Sequence, residues 1–202
     1  SNNQRSYIYI KLFFKKMILP KNIIYLDNGK NKIMKKKIIK LINIFKKIKV
    51  VFFKTDNIES KKIQKYILNI KEKVLVYSGY GGKIVKNKKV LDKKIILHSH
   101  TGKLPRFKGS TTIYYSILSE NKIYCTTFRM NNLIDKGKIL FIKKYPIPKN
   151  LKKLDEYDNK IRSINILLTL EKIELFLKKS TKTDKDIYSP YYIMHPILRY
   201  LA

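Results

Sequence analysis

Apolar and polar positions alternate along this chain in a way that divides it into short strands and amphipathic helices. Tyr7 to Phe14 is an almost unbroken apolar and aromatic run, which predicts a strand, and Pro20 follows it. Asn22 to Leu26 (N-I-I-Y-L) predicts a short strand closed by the turn residues Asp27-Asn28-Gly29. From Lys32 to Lys47, Ile33, Met34, Ile38, Leu41, Ile42 and Phe45 recur at helical spacing with lysines between them. That is an amphipathic helix, either packed on an α/β domain, the favoured reading, or laid on a membrane surface. Val50 to Phe53 reads as a strand and Ser60 to Ile70 as a helix. Val74 to Tyr77 reads as a strand running into Ser78-Gly79-Tyr80-Gly81-Gly82.

Val90 to Leu97 leads into a further strand. Ser110 to Ser119 predicts a helix capped by Ser110 or Thr111, with Ile113, Ile117 and Leu118 inward. Ile123 to Met130 and Lys138 to Lys143 read as strands flanking the loop Asn131 to Gly137, and Pro146 and Pro148 mark the exit from the sheet. Leu151 to Lys179 is helical with one break, and Tyr188 to Ala202 is a short aromatic tail. Strands alternating with helices predict an α/β fold with an open, mostly parallel sheet and helices on both faces. Residues 1–180 are expected to form one catalytic domain, and 181–202 a tail packed on it or at an interface.

Composition adds a globular balance, 44% hydrophobic residues over 202, and a formal net charge of +32. The basic residues are mostly lysine, scattered, and accompanied by many Ile, Asn and Tyr, as an AT-rich coding sequence would produce. Nucleic acid is therefore the less favoured partner, although the charge should steer anionic substrates toward the protein. The lone cysteine, Cys125, lies in an apolar run and reads as a buried strand thiol, which excludes an internal disulfide. No apolar run has the length of a membrane span, so a cytoplasmic location is expected.

Candidate chemistry concentrates between Ile95 and Thr112 (I-I-L-H-S-H-T-G-K-L-P-R-F-K-G-S-T-T). A buried strand that delivers His98 and His100 at its end, then breaks into a Gly/Pro loop, is how open α/β sheets build reactive sites. Two residues apart on a strand, both imidazoles point the same way, and Ser99 points to the other face. With Asp135 they make either an acid–base cluster or a metal site, and Asp135 alone in an Asp-x-Gly sequence is most simply a turn former. His195 reads as packed in the tail. Tyr114-Tyr115 and Tyr191-Tyr192 read as core or interface aromatics, or as stacking platforms.

Three segments stand together: Gly79-Tyr80-Gly81-Gly82-Lys83-Ile84-Val85, then His98-Ser99-His100 with Leu104-Pro105-Arg106-Phe107-Lys108-Gly109, then Leu133-Ile134-Asp135-Lys136-Gly137-Lys138-Ile139-Leu140. In order and spacing they resemble the folate-dependent formyltransferases, whose branches act on methionyl-tRNA, sugar nucleotides and glycinamide ribonucleotide. The resemblance runs from about Val74 to Leu140 and implies a Rossmann-like formyltransferase fold. It also implies 10-formyltetrahydrofolate as donor and catalytic roles for His98, His100 and Asp135. His100 takes the family's His position as proton shuttle and Asp135 its Asp position, while His98 stands where the family has the oxyanion-donating Asn. Thr101-Gly102 replaces the family's Pro-Ser, and Lys138 its acidic residue.

The resemblance further implies that Gly82, Lys83, Ile84, Val85 and Ile134 hold the pterin, with no metal, and that Arg106 and Lys108 receive a substrate phosphate. The tRNA enzyme's extra domain is not recognisable, so the expected acceptor is a small-molecule amine, an amino sugar on a nucleotide, and the expected assembly a monomer or homodimer. The alternatives are a catalytically idle relative that binds RNA or another polyanion, and a metal-dependent hydrolase built on the two histidines and Asp135.

Overall fold

The computed structural model describes residues 1–45, 47–179 and 187–201. Its elements run α1 (Gln4–Lys15), β1 (Asn22–Leu26), α2 (Lys32–Ile42), β2 (Lys49–Phe53), α3 (Lys61–Asn69), β3 (Val74–Val76), α4 (Lys88–Lys93) and β4 (Ile95–Thr101). They continue with α5 (Thr112–Glu120), β5 (Ile123–Arg129), β6 (Lys138–Tyr145), α6 (Leu154–Glu171), α7 (Ile173–Lys178) and α8 (Pro196–Arg199).

The expected strand over Tyr7–Phe14 is instead the body of helix α1. Asn3 caps it by accepting a 2.8 Å bond from the Ser6 amide. Ser6, Tyr9, Phe13 and Phe14 are its buried residues, one helical face that packs on α6 and α2. Aromatic and β-branched residues there mimic a strand until tertiary contacts select the helix. The lysine-rich helix ends at Ile42 rather than Lys47, with Ile38 and Ile42 buried and Ile33 turned to solvent; Lys46 lies outside the described residues. Helix α4, unforeseen, occupies Lys88–Lys93 and is capped by the Asn87 side chain. In α5, Ile113 and Ile117 are buried but Leu118 is exposed, and Thr111 is the cap residue without a side-chain cap bond.

The sheet departs most from expectation. It is split and mixed: β1 and β2 form one parallel pair, while β3-β4-β5-β6 form a second sheet. There β3 and β4 are parallel but β4–β5 and β5–β6 are antiparallel. The short loop Asn131–Gly137 can only join antiparallel neighbours, because a parallel return needs a crossover of a dozen or more residues. No backbone pairing joins β1 to β3.

Strand β4 is buried from Ile96 to Thr101, covered by α6 and gripped by β5. It carries the histidines, and their surroundings are therefore set by α6, β5 and the loops beyond the strand ends. The boundary expected at residue 180 lies outside the described residues. Tyr191 of the tail bonds back to the loop after β4, its amide to the Lys108 carbonyl at 2.8 Å and its carbonyl to the Ser110 amide at 2.9 Å.

Candidate active site

His98 and His100 emerge from one face of β4, while Ser99 on the other lies 3.1 Å from Cys125 Sγ and 3.3 Å from Thr127 Oγ1. Cys125 is wholly buried, and that burial pushes its thiol up to about 12, which makes it inert.

His98 Nδ1 lies 3.0 Å from the Tyr77 carbonyl. A carbonyl only accepts, so Nδ1 carries the proton and Nε2 of the neutral ring carries the lone pair. Its ring stands edge-on to Phe128 at 5.8 Å. Burial, then Arg5 and Arg162, press its pKa down to about 3, against the smaller opposing pull of the Tyr77 carbonyl and Asp135.

His100 has the opposite tautomer. Its Nε2 lies 2.7 Å from the Phe107 carbonyl and 3.1 Å from Thr112 Oγ1, whose own proton goes to the Thr101 carbonyl. With acceptors on that side, Nε2 is the protonated nitrogen and Nδ1 the free base. Nδ1 faces Asp135 Oδ2 at 3.6 Å, too long for a direct hydrogen bond but close enough for an ion pair once the ring is charged. Burial lowers the His100 pKa, with Asp135 opposing it, so the ring is neutral.

Asp135 is held in the left-handed region, φ 52°, which Asp tolerates better than most residues. Its Oδ2 accepts from the Gly109 amide at 2.9 Å. Burial alone would raise this carboxyl, but positive charge on His100 when that ring is protonated, the Gly109 amide, His98 and Arg162 together pull it below the ordinary range. Two glycines make the geometry feasible. Gly109 has φ +103°, and a Cβ there would meet the Tyr191 carbonyl oxygen at 2.4 Å. A Cβ on Gly137 would meet the Arg129 carbonyl oxygen at 1.8 Å, so the chain after Asp135 can turn into β6 only with glycine there.

Beneath the histidines lies a cluster the sequence reading missed. Arg162 of α6 clamps Asp158 through Nε, at 3.1 and 2.9 Å from its two oxygens. It also donates to the Ser99 carbonyl at 2.9 Å and Thr101 Oγ1 at 2.7 Å, and Thr101 donates to Asp158. The pair thus pins the end of β4. Its only sequence signal was Asp158 four residues ahead of Arg162 on a helix, a spacing more often found on exposed faces. Arg5 of α1 joins through Asn159 at 3.1 Å and the Gly79 carbonyl at 3.4 Å.

Of the remaining expected residues, Val85 is buried in one apolar cluster with Phe128 and Met130, while Gly82 is exposed at φ +70° and Ile84 half-buried. Lys83 Nζ lies 4.0 Å from Asp56. Ile134 and Leu133 are exposed beside Asp135. Arg106, half-exposed, pairs with Glu120 at 2.5 Å and stacks on Phe107. Lys108 is 1% exposed and engaged inside the protein, not held out to solvent. His195 is exposed rather than packed, and caps α8. Tyr191 lies between the Phe107 and Tyr115 rings, at 5.7 and 4.4 Å. Among the described residues no group of three or more His, Cys, Asp or Glu side chains could hold a metal, and no helix is long and apolar enough to cross a membrane.

A neutral imidazole with its free nitrogen toward an ionised carboxylate, at the edge of a buried site, is equipped to accept a proton and hold it as an ion pair. Comparison with known proteins agrees in kind. The family model described as formyl transferase matches residues 27–172. A methionyl-tRNA formyltransferase of Ehrlichia canis is 35% identical over 97 residues, 48% of this chain and 30% of that protein. The matched stretch thus spans about a third of the curated relatives' length. Among solved structures, phosphoribosylglycinamide formyltransferase of Bacillus halodurans superposes with a TM-score of 0.60 at 19% identity, covering 88% of this chain and 91% of that one. A sugar N-formyltransferase of a Shewanella species gives a TM-score of 0.59 at 19% identity, covering 93% and 73%. At such identity the likeness shows the fold alone.

Proposed function

The chain belongs to the formyl transferase family, and from that premise we propose that it moves a formyl group from 10-formyltetrahydrofolate to a primary amine, an amino sugar on a nucleotide being the favoured acceptor. The observation that carries the reading is the His100–Asp135 pair, 3.6 Å apart, with the proton of the neutral ring fixed on the far nitrogen. The bound donor supplies the formyl carbon and a leaving nitrogen that needs a proton.

His100 Nδ1 takes the proton from the attacking amine, Asp135 holds the resulting imidazolium, and the same nitrogen returns the proton to the leaving group. His98 sits on the oxyanion side. Because its Nδ1 proton is committed to Tyr77, it donates from Nε2 only as an imidazolium, which negative charge developing beside it would favour and Arg5 and Arg162 would oppose. The main chain of Gly82 to Val85, with Ile134, would hold the pterin. Arg106 remains the residue proposed for the acceptor, and the buried Lys108 drops out of that role. A half-exposed Arg106 can reach a phosphate by releasing Glu120.

Steady-state turnover with 10-formyltetrahydrofolate and a panel of amino-sugar nucleotides tests this. His100→Ala should lower kcat by about 10²–10⁴-fold while largely sparing folate affinity; an unchanged rate would remove the shuttle role. His98→Asn, which supplies an N–H donor at any pH, should retain or raise turnover. A severe loss would mean the imidazole lone pair itself is used. Salt-sensitive retention of nucleic acid without folate binding would favour an idle polyanion-binding relative instead.

A further inference from the structure

The apolar cavity of about 340 Å³ between β1 and β3 is lined by neither histidine and leaves the reactive pair untouched. Residues 107–112, by contrast, hold both members of that pair. The ends of this segment hold His100: the Phe107 carbonyl and Thr112 Oγ1 lie 2.7 and 3.1 Å from Nε2 and keep the lone pair on Nδ1. Its middle holds Asp135, through the Gly109 amide at 2.9 Å. One short loop thus sets the tautomer of the base and the place of the carboxylate.

That loop is strained. Thr111 stands at φ 50°, in the left-handed region that a β-branched residue avoids. It occupies the N-cap of α5, yet its side chain makes no cap bond, although threonine caps helices well. Its hydroxyl is committed to the tail instead. Thr111 Oγ1 accepts from the Met194 amide at 2.8 Å and donates to the Tyr192 carbonyl at 3.4 Å. A strained residue persists only where its surroundings over-determine it, and here the tail supplies them.

The tail also fixes Gly109. Tyr191 meets it in a single parallel bridge, its amide donating to the Lys108 carbonyl at 2.8 Å. That carbonyl and the Gly109 amide belong to one planar peptide, so they point in opposite directions. Tyr191 therefore grips one end of the peptide whose other end donates to Asp135, and a carbonyl that accepts a bond strengthens the amide across from it. The Tyr191 ring is wedged between Phe107 and Tyr115. Met194 is buried in one cluster with Ile113 and Ile117 of α5.

We propose that Tyr191 and Met194 are positioning residues for formyl transfer: they strap residues 107–112 in the one arrangement that sets His100 and Asp135 face to face. They act through that loop rather than on substrate, and the inference rests on the shuttle role proposed for the pair.

Tyr191→Ala removes the wedged ring, Thr111→Val removes the hydroxyl that both tail bonds use, and Tyr191→Phe keeps the ring as a control. The readouts are turnover with 10-formyltetrahydrofolate and an amino-sugar nucleotide, the His100 ring followed by NMR across pH, and hydrogen exchange at Gly109. His100 faces Asp135 from the loop after β5 and Arg162 and Asp158 from α6, and burial is the main cause of its lowered pKa. A loosened loop admits water to the ring, which should then titrate closer to the ordinary value of about 6.5. Tyr191→Ala and Thr111→Val should each lower kcat about 10- to 100-fold with the folate KM little changed. Both should raise the His100 pKa and speed Gly109 exchange about tenfold or more, while Tyr191→Phe matches the parent. If Tyr191→Ala fails to fold, Thr111→Val decides. A lower melting temperature with kcat and the His100 titration unmoved would make the tail a structural prop and overturn the proposal. Titration and exchange need no substrate. A parent that transfers no formyl group would therefore sink the function proposed above, while a raised His100 pKa in the variants would still support the strap.

Discussion

The end of β4 and the gap between β1 and β3 lie in one molecule and are built on opposite terms. At β4 the charged groups are answered: Arg162 meets Asp158, Ser99 and Thr101, and Asp135 meets Gly109. At the gap an apolar hole is flanked by unjoined strand edges and two buried polar atoms without partners. A low-dielectric interior strengthens interactions that are satisfied and penalises those that are not, so the first region should be rigid and the second loose. Reactive geometry has been placed on the region with redundant bonds.

Removing one partner from the satisfied cluster is the severest way to break this contrast. Arg162→Met leaves Asp158 buried without its main counter-charge and should cost roughly 3–5 kcal/mol in urea unfolding. A loss below about 1 kcal/mol, the level of an exposed pair, would mean the cluster is not closed to water. Acid acts on the same region more gradually. His98 and His100 are held below the ordinary histidine range, so below about pH 6.5 the unfolded chain binds protons that the folded chain refuses. Stability should therefore fall as pH drops through about 6.5 toward 5, with His98 alone contributing up to about 1.4 kcal/mol per pH unit below that point and His100 adding in the same direction. The lowered carboxyls of Asp135 and Asp158 lose their contribution only further down, below about pH 4. Tm measured across this range should flatten in His98→Asn, and an unchanged slope would place that ring in water. The smallest effect sharpens the other side of the comparison. Tyr9→Phe removes a buried hydroxyl with no partner and should stabilise by about 1 kcal/mol, whereas an equal loss would reveal a bond that the hydroxyl makes in solution.

Local chemistry made much of this protein readable from its residues. The apolar run before His98, the Leu-Pro-Arg-Phe-Lys-Gly loop and the Asp-Lys-Gly turn are short-range patterns, and they place two imidazoles on one strand face and Asp135 beside Gly137. Elements with a strong period, β1, β2 and α3, lie where their patterns put them. What escaped needed distant partners. Helix α1 looked like a strand because Tyr and Ile suit either state, and its packing on α6 and α2 decides the matter. The mixed direction of the second sheet follows from which strand edges meet, a property of no single segment. Arg162 and Asp158 stand some sixty residues beyond β4 and carry no motif, yet they pin its end, and Arg162 adds to burial in keeping its histidines neutral. Tautomers, too, depend on which carbonyl lies opposite each ring nitrogen. Periodicity and turn chemistry act over a few residues; electrostatics and strand pairing act across whatever the fold brings together.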